Sequence, residues 1–274
     1  MPPTASAGCL SAGVRSPHIC EHLTPVGTGT GRHPRLVDRS RGIETDIQAV
    51  LSTDERARAE RFRHPHDSAR WTAARIALRQ ILAGYTAEHP AKIRLTQGVS
   101  GKPALAGGSS FRFSLTHARD RAVVAVSWER EVGIDLEPID PGLDVSRLLT
   151  VVCSRTEAAR IDAHPPGERR ESFLAHWTCK EAYLKGTGAG LSQDPRTVEI
   201  ELPRDDWTAV RDSIAGTLRP PWNVRLLEAG PGWIAALAIS GQEPALTVYR
   251  WPLKEIAPVA KGLGSAGNLS SSTL

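Results

Sequence analysis

The stretch Val132-Gly133-Ile134-Asp135-Leu136-Glu137 predicts a β-strand that carries two carboxylates on one face. Residues two apart in a strand project to the same side, so Asp135 and Glu137 form a pair while Ile134 and Leu136 point into a core. Two hard oxygen ligands from one strand suit a divalent cation such as Mg²⁺. The alternative is an acidic turn that ends at the following proline and binds nothing.

A second charged stretch, Trp177-Thr178-Cys179-Lys180-Glu181-Ala182-Tyr183-Leu184-Lys185, lies about forty residues further along and predicts a helix. Glu181 and Lys185 are four residues apart and therefore share one helix face. A surface ion pair explains this spacing when the helix is considered alone. Together the two stretches offer three carboxylates and two ammonium groups, which are the parts needed to hold a divalent metal against a diphosphate and to transfer a phosphoryl-type group.

Helices are predicted to precede strands in the first half of the chain. Charged residues 53–62 and the apolar stripe of residues 67–85 predict two helices, and strand signals follow between residues 93 and 126. A turn at residues 129–131 predicts that the strand at residues 132–136 pairs with the preceding strand in a hairpin.

The second half repeats this order. Residues 154–157 have a capping-box pattern, residues 168–185 predict a long helix, and strand-like runs follow between residues 197 and 249. We therefore expect an α+β fold of two similar helix-plus-sheet halves. The expected segments are an unstructured N-terminal extension at residues 1–34, an N-terminal half at 35–133, a C-terminal half at 134–253 and a flexible tail at 254–274.

The composition is that of a folded protein with a basic surface. The chain has 274 residues and a formal net charge of +4. It contains no apolar run of membrane-spanning length and no secretory signal. We therefore expect a cytoplasmic protein without a membrane partner. Its four cysteines form no Cys-x-x-Cys pair, which argues against a zinc site or disulfides, and Cys179 is expected to be a buried apolar residue. The positive charge is compatible with nucleic acid, an acidic protein or an anionic cofactor as a partner.

The two stretches together also resemble a known family. The pattern Gly-Ile-Asp-x-Glu followed by Trp-x-x-Lys-Glu-Ala-x-x-Lys is similar to the paired signatures of the 4'-phosphopantetheinyl transferases, in the larger form that activates peptide and polyketide synthases. Further matches lie in family order at residues 55–62 followed by Asp67 and Arg70, at Ser100-Gly101-Lys102-Pro103, and at Phe113-Ser114-Leu115-Thr116-His117. The resemblance covers about residues 51–191 and implies the family's α+β fold, in which two halves are related by a pseudo-two-fold axis.

The resemblance implies roles for particular side chains. Asp135, Glu137 and Glu181 would hold Mg²⁺ on the diphosphate of coenzyme A, and Glu181 would also be the general base, directly or through water. Lys185 would stabilise the leaving phosphate. The other contacts to coenzyme A phosphates would come from Lys102, Thr116, His117 and Lys180, and those near the nucleotide 3'-phosphate from Arg58 and Arg70.

The implied reaction transfers the 4'-phosphopantetheine arm of coenzyme A to a serine of an apo acyl or peptidyl carrier protein domain, and it releases 3',5'-ADP. Carrier domains of polyketide synthases and nonribosomal peptide synthetases usually present an acidic helix, which a basic protein attracts. The resemblance implies a monomer that does not bind nucleic acid.

Two other classes of protein stay open at this point. A metal-dependent nuclease also needs acids and a lysine around Mg²⁺, although the usual Glu-x-Lys step on one strand is missing. A non-enzymatic module that binds nucleic acid or an acidic protein would use the arginine-rich residues 56–79.

Overall fold

The computed structural model describes residues 18–21, 47–98, 101–202, 206–214 and 220–250. The described residues belong to two compact units, a smaller one of residues 47–93 and a larger one of residues 18–21 and 94–250. Most of the N-terminal extension expected at residues 1–34, and the tail expected at 254–274, lie outside the described residues. Among the described helices, none combines the length and the apolar character needed to cross a bilayer.

The smaller unit is helical. Its elements are α1 Ile47–Val50, α2 Thr53–Glu60, α3 Pro65–Thr86 and a 3-10 turn at Pro90–Lys92. Helix α2 begins at a capping box, because the Ser52 hydroxyl accepts the Glu55 N–H at 3.2 Å and the Glu55 carboxylate accepts the Ser52 N–H at 2.9 Å. The helices predicted at residues 53–62 and 67–85 are thereby confirmed.

Arg79 joins the elements of the smaller unit. Its Nη1 donates to the carbonyls of Pro90 and Ile93, both at 2.9 Å, and its Nε donates to Glu55 Oε2 at 2.7 Å. One buried guanidinium therefore connects α3 to the start of α2 and to the chain that leaves the 3-10 turn.

The larger unit combines helices with mostly antiparallel sheets, which confirms the α+β class. Its strands are β1 His18–Glu21, β2 Leu95–Gln97, β3 Pro103–Leu105, β4 Phe111–Ala118, β5 Arg121–Trp128, β6 Val132–Pro138, β7 Val198–Ile200, β8 Thr208–Asp212, β9 Trp222–Leu227, β10 Trp233–Ser240 and β11 Thr247–Arg250. Its helices are α4 Val145–Val152, α5 Arg155–Asp162 and α6 Pro166–Thr187. One sheet has the order β11-β1-β5-β4, a second has the order β6-β10-β9-β8-β7, and β2 pairs with β3.

Strand β6 does not form the predicted hairpin with β5. It pairs antiparallel with β10, with Asp135 opposite Ala236, and so begins the second sheet. Its other edge faces β4, where the Ser114 hydroxyl accepts the Ile134 N–H at 3.2 Å. The hairpin prediction is wrong because β6 is covered on both faces, and a local turn signal does not specify which strand a segment pairs with.

The two faces of β6 contact different layers. The apolar face, which includes Ile134 and Leu136, is buried against residues of β5 and β10. On the opposite face Gly133 lies so close to α6 that a Cβ there would be 1.9 Å from the Ala182 carbonyl oxygen. Because side chains alternate along a strand, the two acidic residues of β6 lie on the same side as Gly133 and face α6.

Helix α6 packs its apolar face on the second sheet. Cys179, Tyr183 and Leu184 are buried there in a cluster that includes Trp222 of β9. Cys179 is 1 % exposed, as predicted, and burial raises the pKa of its thiol. The helix ends at Gly188, whose φ of 75° is the left-handed conformation that glycine adopts readily.

Candidate active site

Three carboxylates converge where β6 faces α6. Burial raises the pKa of the Glu181 carboxyl, and the negative charge of Asp135 raises it further. Burial also raises the pKa of the Glu137 carboxyl, again with a contribution from Asp135. Charges shift one another's pKa in this way at short range. The contacts agree, because Asp135 bonds to Lys185 and Glu137 bonds to Trp177, which lie four residues after and before Glu181 on the same helix face. We call the three acids the acid cluster.

Lys185 supplies a positive charge to the acid cluster. Its Nζ lies 2.5 Å from Asp135 Oδ1 and 3.2 Å from Thr116 Oγ1, and the Thr116 hydroxyl donates to the same Asp135 oxygen at 3.1 Å. The lysine charge lowers the pKa of Glu137 and Glu181, which opposes the effect of burial. The Lys185 side chain is 33 % exposed whereas that of Asp135 is 4 % exposed, so the cluster opens to solvent on the lysine side.

Two carboxylate oxygens of the acid cluster are buried without a hydrogen-bond partner among the described residues. They are Oδ2 of Asp135 and Oε1 of Glu181. Glu137 differs, because the Trp177 indole N–H donates to its Oε1 at 3.2 Å. Burying an unsatisfied anionic oxygen is costly unless a cation or water satisfies it. Oxygen atoms of this kind are the ligands that Mg²⁺ prefers.

The acid cluster has the chemistry of a cation site but not a finished coordination geometry. In the described part of the chain, no group of three or more His, Cys, Asp or Glu side chains is spaced to hold a metal ion as it stands. Asp135 Oδ1 is engaged by Lys185 and Glu137 Oε1 by Trp177. Coordination by all three acids therefore requires an arrangement of these side chains that differs from the one described.

Lys102 lies against the C-terminal end of α6. Its Nζ donates to Glu131 Oε2 at 2.8 Å, to the Val132 carbonyl at 3.1 Å and to the Gly186 carbonyl at 2.7 Å. Burial lowers the pKa of Lys102, and the hydrogen bond to Glu131 opposes this shift. An ammonium group has three N–H donors, and here all three are engaged. These bonds do not support the predicted contact between Lys102 and a coenzyme A phosphate.

Lys180 lies in the protein interior, where it is 0 % exposed. Its Nζ lies 2.5 Å from Glu157 Oε2 and donates to the carbonyls of Val152 and Pro195, both at 3.0 Å. Successive helix residues point about 100° apart, so Lys180 does not share the face of Glu181. The burial of Lys180 does not support the predicted contact between its ammonium and a phosphate. The side chain instead joins α6 to α5 and to the segment before β7.

The other predicted phosphate contacts lie on different elements. Thr116 is buried beside Asp135, whereas the next residue of β4, His117, is exposed on the opposite face of the strand. Arg58 and Arg70 are exposed in the smaller unit, and the Arg58 guanidinium lies 5.4 Å from the centroid of the Trp71 ring. The hydrogen bonds of the Thr116 hydroxyl with Asp135 and Lys185 place it beside the acid cluster.

Two supporting roles in this region were not predicted from the sequence. The Trp177 indole N–H fixes the Glu137 carboxylate. Glu157 occupies the expected capping box, and it also accepts the Ile200 N–H at 3.0 Å and pairs with Lys180. A capping-box pattern indicates a helix start, but it does not show that the same carboxylate pairs with a lysine on another helix.

Comparisons with known proteins match both parts of the chain to one family. Residues 131–238 match the family described as the 4'-phosphopantetheinyl transferase superfamily. Residues 43–129 match the family described as 4'-phosphopantetheinyl transferase, N-terminal. The first match contains the whole acid cluster, because β6 and α6 both lie within it.

Individual relatives agree with this match. The chain is 35 % identical to the 4'-phosphopantetheinyl transferase HetI of Nostoc sp. over 199 residues, which cover 72 % of this chain and 81 % of that protein. It is 32 % identical to the 4'-phosphopantetheinyl transferase psf-1 of Bacillus pumilus, over 60 % of this chain and 70 % of that protein. The L-aminoadipate-semialdehyde dehydrogenase-phosphopantetheinyl transferase of Xenopus laevis is 30 % identical over 56 % of this chain and 54 % of that protein. The chain therefore belongs to the 4'-phosphopantetheinyl transferase superfamily and is a transferase of that family.

Proposed function

We propose that this protein transfers the 4'-phosphopantetheine arm of coenzyme A to a serine hydroxyl of an apo carrier protein domain. A bond forms between the serine oxygen and the phosphorus that carries the arm, the bond from that phosphorus to the bridging oxygen of the diphosphate breaks, and 3',5'-ADP leaves. The observation that supports this proposal best is the convergence of Asp135, Glu137, Glu181 and Lys185 at one partly open site.

Mg²⁺ is the cation that the acid cluster would hold, through Asp135, Glu137 and Glu181. Bound there, the ion supplies charge neutralisation to the diphosphate. Two features of the chain support this role: the unsatisfied oxygens of Asp135 and Glu181, and the raised pKa of the Glu137 and Glu181 carboxyls. A cation removes the electrostatic cost of holding three carboxylates together in a partly buried place.

Glu181 is the proposed general base. Its carboxyl has a raised pKa because of burial and because of Asp135, which makes the ionised form a stronger base than an exposed glutamate. We propose that it accepts the serine proton, either directly or through one water molecule. Its neighbour on the helix face, Lys185, holds the leaving phosphate, because its ammonium is partly exposed beside Asp135.

The remaining contacts to coenzyme A are also part of the proposal. The Thr116 hydroxyl and the His117 imidazole lie at the end of β4 and would contact its phosphates. Arg58 and Arg70 would lie near the nucleotide 3'-phosphate, where a guanidinium can make two bonds to one phosphate and stays charged.

The partner proteins would be acyl or peptidyl carrier domains, including those of polyketide and nonribosomal peptide synthases. The net charge of +4 favours encounter with an acidic carrier helix. We also retain, as proposals, a monomeric cytoplasmic enzyme and two similar halves at residues 35–133 and 134–253 related by a pseudo-two-fold axis. Membership of the transferase family does not favour the nuclease and nucleic-acid-binding alternatives.

The proposed function is tested by intact-mass analysis of several apo carrier proteins after incubation with the enzyme, coenzyme A and Mg²⁺. We expect each accepted carrier to gain the mass of one phosphopantetheine arm, and we expect Glu181→Gln to abolish the gain. Glu171→Gln is a matched control, because Glu171 is an exposed glutamate on the same helix. A wild-type enzyme that modifies none of the carriers tested, or a fully active Glu181→Gln variant, would overturn the proposal.

A further inference from the structure

Lys102 connects three parts of the larger unit that come together beside the acid cluster. It follows the turn between β2 and β3, and its ammonium reaches the last residue before β6, the first residue of β6 and the last turn of α6. The Lys102 stem runs along the end of α6, since its Cδ would lie 3.9 Å from a Cβ placed on Gly188. The side chain therefore bridges the two elements that carry the acid cluster.

The bond to Gly186 satisfies a helix end. The last carbonyls of a helix lack partners within the helix and carry the negative end of its dipole. At the end of α6 the Thr187 hydroxyl donates to the Leu184 carbonyl at 3.1 Å, and Lys102 donates to the Gly186 carbonyl at 2.7 Å. Lys102 thus acts as a C-terminal cap that comes from a distant part of the chain.

The contact that Lys102 spans is unusually close. Gly133 of β6 has no room for a Cβ because the backbone of α6 occupies that space at Ala182 and Gly186. Gly186 in turn has the Trp222 ring 2.6 Å from where its own Cβ would be. Strand and helix therefore meet through their main chains, and Lys102 bonds to the main chain of both at this point.

We propose that Lys102 is a positioning residue that holds α6 against β6 and thereby sets the spacing between Asp135 and Glu181. This inference rests on the proposed function, because the acid cluster is taken as the place where Mg²⁺ and the diphosphate bind. Asp135 lies three residues after the strand residue that Lys102 holds, and Glu181 lies five residues before the helix residue that it holds. A shift of the helix along the strand would therefore change the distance between these two carboxylates.

A direct phosphate contact is the competing role for Lys102. It would require the ammonium to give up one of three hydrogen bonds between 2.7 and 3.1 Å, and the side chain is only 19 % exposed. The two roles make opposite predictions about nucleotide binding. Loss of a positioning residue removes no phosphate ligand directly, whereas loss of a phosphate ligand weakens binding of any nucleotide that carries the phosphate.

The test compares Lys102→Met with the wild-type enzyme. Methionine keeps most of the side-chain length but has no N–H donor. We expect the kcat of transfer to fall about 10- to 100-fold and the half-saturating Mg²⁺ concentration to rise by a similar factor, as for other residues that support metal ligands. We expect the Kd of 3',5'-ADP, measured by calorimetry without Mg²⁺, to stay within about twofold of the wild-type value, well below one tenfold step in binding.

A charge-preserving variant and a surface control complete the experiment. Lys102→Arg keeps the positive charge, but a planar guanidinium cannot present three N–H donors from one nitrogen to three converging acceptors, so we expect no full rescue of kcat. Lys92→Met changes an exposed lysine of the 3-10 turn and should leave every measured quantity unchanged. If circular dichroism shows that Lys102→Met does not fold, the same measurements are made on Lys102→Gln, which retains an N–H donor group.

The outcomes separate this inference from the proposed function. A markedly weaker Kd for 3',5'-ADP, or full activity in Lys102→Met or Lys102→Arg, would overturn the positioning role while the wild-type enzyme still modifies its carrier. An inactive wild-type enzyme would instead count against the proposed function. Reduced kcat, a raised Mg²⁺ requirement and an unchanged nucleotide Kd together would establish Lys102 as a positioning residue.

Discussion

Lys185 Nζ lies 2.5 Å from Asp135 Oδ1, so one ion pair joins helix α6 to strand β6 at the acid cluster. Without the lysine, three carboxylates would face one another with no positive side chain bonded to Asp135. We expect Lys185→Met to lower the free energy of unfolding by about 1–3 kcal/mol in the absence of Mg²⁺, because Asp135 loses a charged donor while it stays buried. Urea unfolding measures this loss.

The same variant should lose transfer activity by about 100-fold or more, if Lys185 stabilises charge on the leaving phosphate. Lys185→Arg is the matched control, since it keeps a positive donor near Asp135 and should retain most of the stability. A Lys185→Met enzyme as stable as the wild type, with and without Mg²⁺, would show that the ion pair contributes little.

Glu181→Gln should stabilise the metal-free protein while it abolishes transfer. The pKa of Glu181 is raised in the folded protein, so folding favours its protonated form. Protonation of Glu181 stabilises the folded protein fully at pH values below the pKa that this carboxyl has in the unfolded chain. The stabilisation is lost as the pH rises through the higher pKa of the folded protein. The neutral amide avoids that loss, so the variant should have the higher urea midpoint at pH 7 without Mg²⁺.

The difference between the two proteins should also depend on pH. Towards pH 4, near the ordinary glutamate pKa, the wild-type carboxyl takes up its proton and the two urea midpoints should converge. The control variant Glu171→Gln should match the wild type at both pH values, because Glu171 is exposed. A Glu181→Gln variant that is less stable than the wild type at pH 7 would contradict the raised pKa.

The buried pair of Lys180 and Glu157 should be one of the most sensitive points of the fold. Their side chains are 0 % and 1 % exposed, and Lys180 also satisfies two backbone carbonyls. We expect Lys180→Met to cost about 3–5 kcal/mol of stability, because it leaves the Glu157 carboxylate buried without its cation. The double variant Lys180→Met with Glu157→Gln should recover part of this loss, since glutamine is neutral and keeps an oxygen acceptor.

A double-mutant cycle in urea gives the coupling energy between these two residues. Lys92→Met serves as the surface control and should change stability by no more than about 0.5 kcal/mol. Additive effects of the two substitutions would mean that the pair has no net coupling, contrary to the geometry.

Gly133→Ala should prevent the larger unit from folding correctly. The new Cβ would lie 1.9 Å from the Ala182 carbonyl oxygen and 2.4 Å from the Gly186 nitrogen, and main-chain atoms of a packed helix cannot move aside locally. We expect a loss of more than about 3 kcal/mol, at or beyond the usual upper range for overpacking. Soluble yield and near-ultraviolet circular dichroism would report this loss.

Gly84→Ala is the contrasting substitution. Gly84 lies in α3 with nothing within 4 Å of where a Cβ would be, so alanine should stabilise the helix by about 1 kcal/mol. Equal effects of the two glycine substitutions on thermal unfolding would show that the close approach of β6 and α6 does not constrain residue 133.

Much of the local structure could be predicted from short-range patterns. The capping box at residues 154–157 and both long helices follow from side-chain periodicity and end signals, and alternation correctly placed Asp135 and Glu137 on one face of a strand. The pairing of β6 could not be predicted, because hydrophobic alternation specifies a buried strand but not its neighbour, and β10 begins almost a hundred residues later.

The placement of a site residue could be predicted where its spacing from a neighbour fixes the direction of its side chain. It could not be predicted where the position of another element decides what the side chain contacts. The four-residue spacing puts Glu181 and Lys185 on one face of α6, and the packing of β6 brings Asp135 to Lys185. Lys180 is adjacent to Glu181 in sequence, and helix geometry alone would have turned it away from the acids. Lys102 is different, because a lysine after a turn can bond to a ligand or to the protein's own backbone, and only the position of α6 decides between them.

The absence of a side chain at Gly133 has a consequence for how this enzyme could change over time. Because two backbones touch there, the approach of β6 to α6 at this point is a contact between main-chain atoms and does not depend on which apolar residues fill the surrounding core. Substitutions of apolar residues around β6 and α6 can therefore accumulate while the main-chain contact at Gly133 is kept.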